Sequence, residues 1–393
     1  MQNTKNLQTL AFYISFIALG LVFASLGPTL PGLADNTHST LKQISVIFSV
    51  QGFGLLAGNF LSGRYYDRAP AFPFLAAVIV LLSALLVVLP LLTSLWQLAL
   101  VMFVLGAGAG SLDVAGNTLL IWIYGDRVGT RMNALHFFFG VGALLAPIFV
   151  AQAIALTGGI TWAYWVLAAL VLPAALLFLR LPSPTAPSRI TEARASRVPW
   201  LLVGLLMLAF LLFVGAETSF GNWVYTYALK RNLANATTAG YLTSAFWGAF
   251  TLGRLLSIPL ASRVRPRYIL LMDVLGALAA LALLLFFPHA RWSVWAAAFG
   301  FGLAMANVYP TLVLLGGRHL SMTGSISSLF MLAGSVGGMV IPWLIGQKFE
   351  TTGPQVVVII IFSAIILAAL DLLVFLRTSP APLAADDQPI SAH

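Results

Sequence analysis

The chain has 393 residues, of which 60% are hydrophobic and only 8% charged, and its mean hydropathy is +0.97; that is too little polar surface to coat a water-soluble globule, so lipid must cover it. The net charge of +9 does not mark a nucleic-acid binder, because the lysines and arginines fall singly or in threes at the ends of apolar runs, where membrane topology accounts for them. Without cysteine there is neither a disulfide framework nor a thiolate metal site, and no nucleophile–base pair or metal constellation points to an enzyme or a cofactor.

Apolar stretches of twenty or more residues recur from Leu10 to Leu376, each long enough to cross about 30 Å of hydrocarbon as a helix. Twelve spans are predicted, at 10–33, 43–63, 72–93, 95–123, 131–156, 160–181, 200–229, 236–262, 267–288, 292–316, 322–347 and 354–376. Runs of this length without strict alternation exclude a β-barrel. The first run is too long for a signal-peptide core and is read as a retained span. With the N-terminus inside, fifteen of the twenty Lys and Arg fall on one side, the exceptions being Lys42, Lys230, Arg231, Arg291 and Lys348. Both termini and the central loop are therefore expected in the cytoplasm, with the protein in the cytoplasmic (inner) membrane.

A carboxylate at the centre of a membrane helix costs about 3 kcal/mol on insertion scales, so the polar residues inside spans carry the functional signal. In span 2, Gln51 shares a face with Gly54, Gly58 and Ser62 and is a candidate substrate ligand. The loop that follows ends in Asp67-Arg68, a candidate charge clamp. Span 4 carries the stripe Gly106, Gly110, Asp113, Asn117, spaced four, three and four, which places small and polar side chains on one face. Either that face lines a cavity, or the glycines serve close helix packing. His136 in span 5 reads as a packed or water-exposed histidine ahead of a proton relay.

In span 7, glycines flank Glu217 and Gly221 is expected to let the helix bend, bringing Asn222 and Trp223 toward the same cavity. Tyr227 fits a cavity wall and an interfacial belt equally well. Amides and carboxylates bind hydroxyls while aromatic rings cover a flat apolar face, a combination suited to a hexose. Span 8 adds Trp247 and Arg254. Span 9 adds Asp273, expected to pair with Arg254 or a neighbouring arginine as a gate, or to form a plain helix-end salt bridge. Span 10 offers Asn307, with Tyr309 roughly opposite it unless Pro310 distorts the helix. The fourth intramembrane acid is Asp371 in span 12.

The organisation is a repeat. A shift of 195 residues matches Gly20 with Gly215, Gly58 with Gly253, Gly142 with Gly337, Pro147 with Pro342 and Thr157-Gly158 with Thr352-Gly353. Expected units are therefore a six-helix bundle over 1–181, a cytoplasmic linker over 182–199, a second bundle over 200–377 and a tail over 378–393. The fold class is an all-α membrane protein with twelve transmembrane helices in two pseudo-symmetric halves, the architecture of major facilitator transporters, in which the substrate sits between the halves.

Residues Gly58 to Arg68 resemble the facilitator loop motif; in the second half Gly253 and Arg254 recur, but Ser262 stands in place of the aspartate. Ser111-Leu112-Asp113-Val114-Ala115-Gly116-Asn117 is similar to the helix 4 signature of the fucose:proton symporter family, and Tyr309-Pro310-Thr311 to its helix 10 segment. The runs Asp113 to Pro147 and Gly215 to Ala228 resemble the sodium-dependent glucose transporter branch of that family. The resemblance implies a monosaccharide substrate. It departs in span 1, which lacks the acidic residue of the fucose symporters.

The expected function is cation-coupled symport of a hexose by alternating access. Asp113 and Glu217 would sense a proton or sodium. Gln51, Asn117, Asn222 and Asn307 would bind hydroxyls and Trp223 and Trp247 stack on the ring, with Tyr227 and Tyr309 as further substrate-binding candidates. Asp67, Arg68, Arg254, Asp273 and His136 would gate or support. Sodium needs several oxygens converging on one point, for which Glu217 and Thr218 with unwound carbonyls are the candidates. The partners are then the sugar and the bilayer, with the protein a monomer. The rival functions are export or flipping of a small amphipathic compound or lipid, and sugar sensing without transport.

Overall fold

A computed structural model of the chain describes residues 2–185, 199–261, 263–320 and 323–379, and all regular structure among them is helical. Ser262, linker residues 186–198 and tail residues 380–393 lie outside the described residues. Six helical spans precede the linker: α1 (Gln2–Asn36), α2 (Val46–Tyr66, led by the single turn Leu41–Ile44), α3 (Ala71–Val88), α4 (Leu95–Tyr124), α5 (Gly129–Thr157) and α6 (Thr161–Val171, continued by Pro173–Arg180). Six follow it: α7 (Trp200–Lys230), α8 (Ala236–Ala261), α9 (Pro266–Phe286), α10 (Arg291–Met305 and Val308–His319), α11 (Gly324–Thr352) and α12 (Val356–Thr378). By length and composition, eleven of the described helices qualify as membrane spans, and α8, 26 residues long, supplies the twelfth.

Several helices outrun the apolar stretches that announce them. α1 begins at Gln2 instead of 10, and its polar first turns stay helical because backbone bonding does not depend on hydropathy; the Thr9 hydroxyl adds a bond to the Lys5 carbonyl at 2.8 Å. α10 breaks at Ala306–Asn307. Pro310 lies four residues on; its ring has no N–H for the Ala306 carbonyl and crowds it, so the helix opens there.

The chain divides into two compact units, one formed by Met1–Ile190 with Ala234–Ser244 and the other by Thr191–Leu233 with Ala245–His393. The repeat glycines mark equivalent crossings within each. In the first unit, a Cβ on Gly20 would strike the Phe139 carbonyl oxygen and one on Gly142 the Ile17 carbonyl oxygen, so α1 and α5 touch backbone to backbone. In the second, a Cβ on Gly337 would strike the Leu211 carbonyl oxygen and one on Gly215 would come within 2.7 Å of the Gly337 oxygen, joining α7 to α11 in the same way. Small residues at such crossings let dispersion act over the whole helix length, which lipid cannot replace. Gly158 (φ 76°) ends α5 and Gly353 (φ 83°) ends α11; the positive φ at both ends, which favours glycine, explains the Thr-Gly match in the register.

Candidate functional site

In the first unit the stripe on α4 divides in two. A Cβ at Gly106 would meet the Gln51 carbonyl and one at Gly110 the Leu55 carbonyl, so these glycines seat α2 and their face is packed. The Gln51 side chain stands beside that contact, half-buried. One turn further, Asp113 and Asn117 emerge half-buried. Asn117 Nδ2 donates to the Asp113 backbone oxygen at 2.9 Å and to its Oδ1 at 3.1 Å. The four-residue spacing thus joins a carboxylate and an amide on one turn. Beneath them Gly116 accommodates the ring of Phe16 from α1, and His136 packs edge-on against that ring at 6.0 Å. Asp67 and Arg68 are both exposed at the end of α2, and among the described residues neither forms an ion pair. Water screens charges so placed, and the expected clamp is not made.

A cavity of about 480 Å³ opens in the same unit where α1 starts and α4 meets α5, lined by Thr9, Tyr13, Tyr124 and Arg131 among others. The Thr9 and Tyr124 hydroxyls are 2.8 Å apart, and the Arg131 guanidinium lies 3.9 Å over the Tyr124 ring. None of these residues stood out in the sequence, because they lie at span ends where polar residues are ordinary.

In the second unit α7 is unbroken from Trp200 to Lys230, so Gly221 does not unwind it. A Cβ at Gly221 would lie 2.8 Å from Cζ2 of Trp247: the glycine makes room for an indole. The α7 carbonyls therefore stay in the helix, and Glu217 and Thr218, both half-buried, offer side-chain oxygens alone. Asn222 is buried and its amide donates to the Thr218 carbonyl at 3.0 Å.

Trp223, expected in a cavity, is 0% exposed. Its Nε1 donates to the Pro342 carbonyl of α11 at 3.0 Å and its ring stacks on Phe349 at 5.1 Å. Tyr227 is equally enclosed; its hydroxyl donates to Gln355 Oε1 at 3.2 Å, and Gln355 in turn donates to the Leu284 carbonyl at 3.0 Å. It belongs neither to an interfacial belt nor to an open wall here. Trp247 is packed between Phe246 and Phe250.

The charges are placed differently from expectation. Arg254 on α8 lies within electrostatic reach of Glu217 on α7 and Tyr309 on α10, without an ion pair among the described residues, and its guanidinium is 4.6 Å over the Phe250 ring. Asp273 on α9 and Asn307 at the break of α10 are both buried. The expected Asp273–Arg254 gate is therefore corrected to two separate sets, Glu217 within reach of Arg254, and Asp273, which forms no ion pair among the described residues. Tyr309 is half-buried and meets Phe210 edge-on at 5.0 Å. The register held an unread signal for the first set: shifted by 195, Glu217 corresponds to Val22 and Arg254 to Asn59, so both charges of the pair are additions of the second half.

Residues 12–342 match the family model described as Major Facilitator Superfamily. The mouse protein "Sodium-dependent glucose transporter 1A" is 28% identical over 416 residues, covering 96% of this chain and 98% of that protein. The Xenopus laevis "Sodium-dependent glucose transporter 1" is 30% identical, covering 83% and 72%. Among solved structures, a bacterial homologue of the human lysosomal transporter Spinster superposes with a TM-score of 0.74 at 13% identity, covering 95% of this chain and 97% of that one. At that identity the likeness is one of fold.

Proposed function

Because the chain belongs to the major facilitator superfamily, we propose that it is a secondary transporter that couples entry of a monosaccharide, a hexose, to a cation gradient of protons or sodium. The observation that carries the reading is the Asp113–Asn117 pair, a half-buried carboxylate and amide joined on one turn of a membrane helix. A carboxylate kept at such depth costs free energy that packing alone does not require, and its oxygens can hold a cation while the neighbouring amide meets a hydroxyl. Glu217, half-buried and within electrostatic reach of Arg254, supplies a second charge in the other unit. The names of relatives that align over 96% and 83% of the chain support the sugar class.

A transporter of this kind couples by differential affinity: the cation must bind one facing state more tightly, and the sugar must share that preference. Asp113 is suited to the task because neutralising it changes the hydrogen-bond pattern with Asn117 without removing the pair. In proteoliposomes with imposed sodium or proton gradients, the natural chain is expected to accumulate hexose. Asp113→Asn and Glu217→Gln are expected to retain exchange of sugar down its gradient but to lose accumulation. Accumulation by both variants at the natural level would remove the coupling assignment, and no hexose flux under any gradient would remove the substrate class.

A further inference from the structure

The cavity of about 480 Å³ formed by the start of α1, the end of α4 and the start of α5 lies within the first unit. Its size falls in the range of about 300–1,000 Å³ typical of small-molecule sites. Among the described residues that line it, none is acidic and Arg131 is the one permanent cation. Neither Asp113 nor Glu217 belongs to that lining.

A basic residue at the end of a span is ordinary, but this one is fixed by a chain of contacts. The Thr9 hydroxyl donates to the Lys5 carbonyl at 2.8 Å. With that proton committed, the 2.8 Å contact between the Thr9 and Tyr124 hydroxyls is a bond donated by Tyr124. Tyr124 is thereby held, and its ring carries the Arg131 guanidinium at 3.9 Å, while Arg131 also donates to the Arg127 carbonyl at 3.5 Å. A guanidinium seated over a ring keeps N–H donors at its edge for an anion, and one held in place beforehand loses little freedom when the anion arrives. A second cation adds to the local field: Lys5 Nζ donates to the Ile123 carbonyl, next to Tyr124, at 3.3 Å.

The rest of the lining defines the anion. Thr130 and Asn6 add a hydroxyl and an amide to the guanidinium fork. Donors from three residues match the three terminal oxygens of a phosphate monoester better than the two of a carboxylate. Tyr13, stacked on Phe138 at 4.7 Å, gives the cavity a flat aromatic wall for an organic group attached to the phosphate. We propose that this cavity binds a phosphorylated monosaccharide, with its phosphate on Arg131 and its sugar ring against Tyr13.

The choice of a sugar to carry the phosphate rests on the proposed function. The distribution of lysine and arginine assigns this end of the bundle to the cytoplasm, where a phosphoryl-transfer reaction would consume the incoming hexose and make such an ester. Its occupancy ties α1, α4 and α5 together, and α4 carries Asp113. Accumulated product would thus restrain the helix that senses the cation.

Equilibrium binding of labelled glucose 6-phosphate to the purified full chain, in a neutral detergent without a sugar headgroup, tests this without measuring flux. The natural chain is expected to bind it saturably. Arg131→Gln is expected to weaken binding at least tenfold, and Arg131→Lys, which keeps the charge and loses the fork, at least threefold; the second variant serves alone if the first does not survive purification. Tyr13→Leu is expected to weaken glucose 6-phosphate binding while leaving the inhibition constant of inorganic phosphate unchanged. Inorganic phosphate, glucuronate and short-chain phosphatidic acid should each compete only at tenfold or more higher concentration. No saturable binding by the natural chain, or equal affinity in the Arg131 variants, would overturn the site. Competition by glucuronate, inorganic phosphate or phosphatidic acid as tight as by glucose 6-phosphate would overturn the phosphate, the sugar or the soluble ester respectively. A chain that moves no hexose but binds the ester through Arg131 loses the proposed function and keeps this site, and a chain that moves hexose without binding the ester does the reverse.

Discussion

Replacing Trp223 separates a packing role from a sugar-binding one. Trp223→Phe keeps an aromatic ring stacked on Phe349 and removes the 3.0 Å bond from Nε1 to the Pro342 carbonyl. A neutral hydrogen bond of this kind contributes about 0.5–1.5 kcal/mol, so the variant is expected to be less stable by about 1 kcal/mol. Trp223→Ala empties a site that is 0% exposed and is expected to cost about 3–5 kcal/mol, the range for large aromatic truncations in a closed core. The assay is thermal unfolding in detergent, paired with the KM for hexose uptake of the folded fraction. The expected pattern is graded stability loss with KM for Trp223→Phe unchanged within twofold. A tenfold rise in KM with undiminished stability would refute the packing of Trp223 against α11 and return it to the sugar site.

Glycine substitutions read the helix crossings. Gly337→Ala drives a Cβ into the Leu211 carbonyl and is expected to cost about 1–3 kcal/mol through backbone displacement, whereas Gly63→Ala, with nothing within 4 Å of its Cβ position, should gain up to about 1 kcal/mol of helix propensity; thermal unfolding that ranks Gly337→Ala at or above Gly63→Ala would contradict the crossing. Tyr227→Phe removes the bond to Gln355 and is expected to lower stability by about 1 kcal/mol while leaving uptake intact, and a selective loss of uptake would instead place the hydroxyl on substrate. For Glu217 and Arg254, a double-mutant cycle with Glu217→Gln and Arg254→Gln is expected to give a coupling of about 0.5–3 kcal/mol, the double variant being more stable than the sum of the singles predicts; strict additivity would mean the two charges do not sense each other.

The class of molecule and much of its plan were legible in the amino-acid order. Twenty-residue apolar runs have one solution in hydrocarbon, a helix that satisfies its own backbone, so the spans followed from composition. The 195-residue register followed from glycines that close crossings and positive-φ helix ends require, and Asp113 with Asn117 followed from helical spacing, a local property. The tertiary structure decided which way the remaining polar groups face. Trp223 and Tyr227 lie within three turns of Glu217 on the same helix, yet they turn to α11 and to Gln355 because those partners come from segments more than a hundred residues away. Arg254 comes within electrostatic reach of Glu217 through helix packing that no local pattern encodes. Spacing along one helix fixes a face; what fills the space opposite that face is settled only when the other helices arrive.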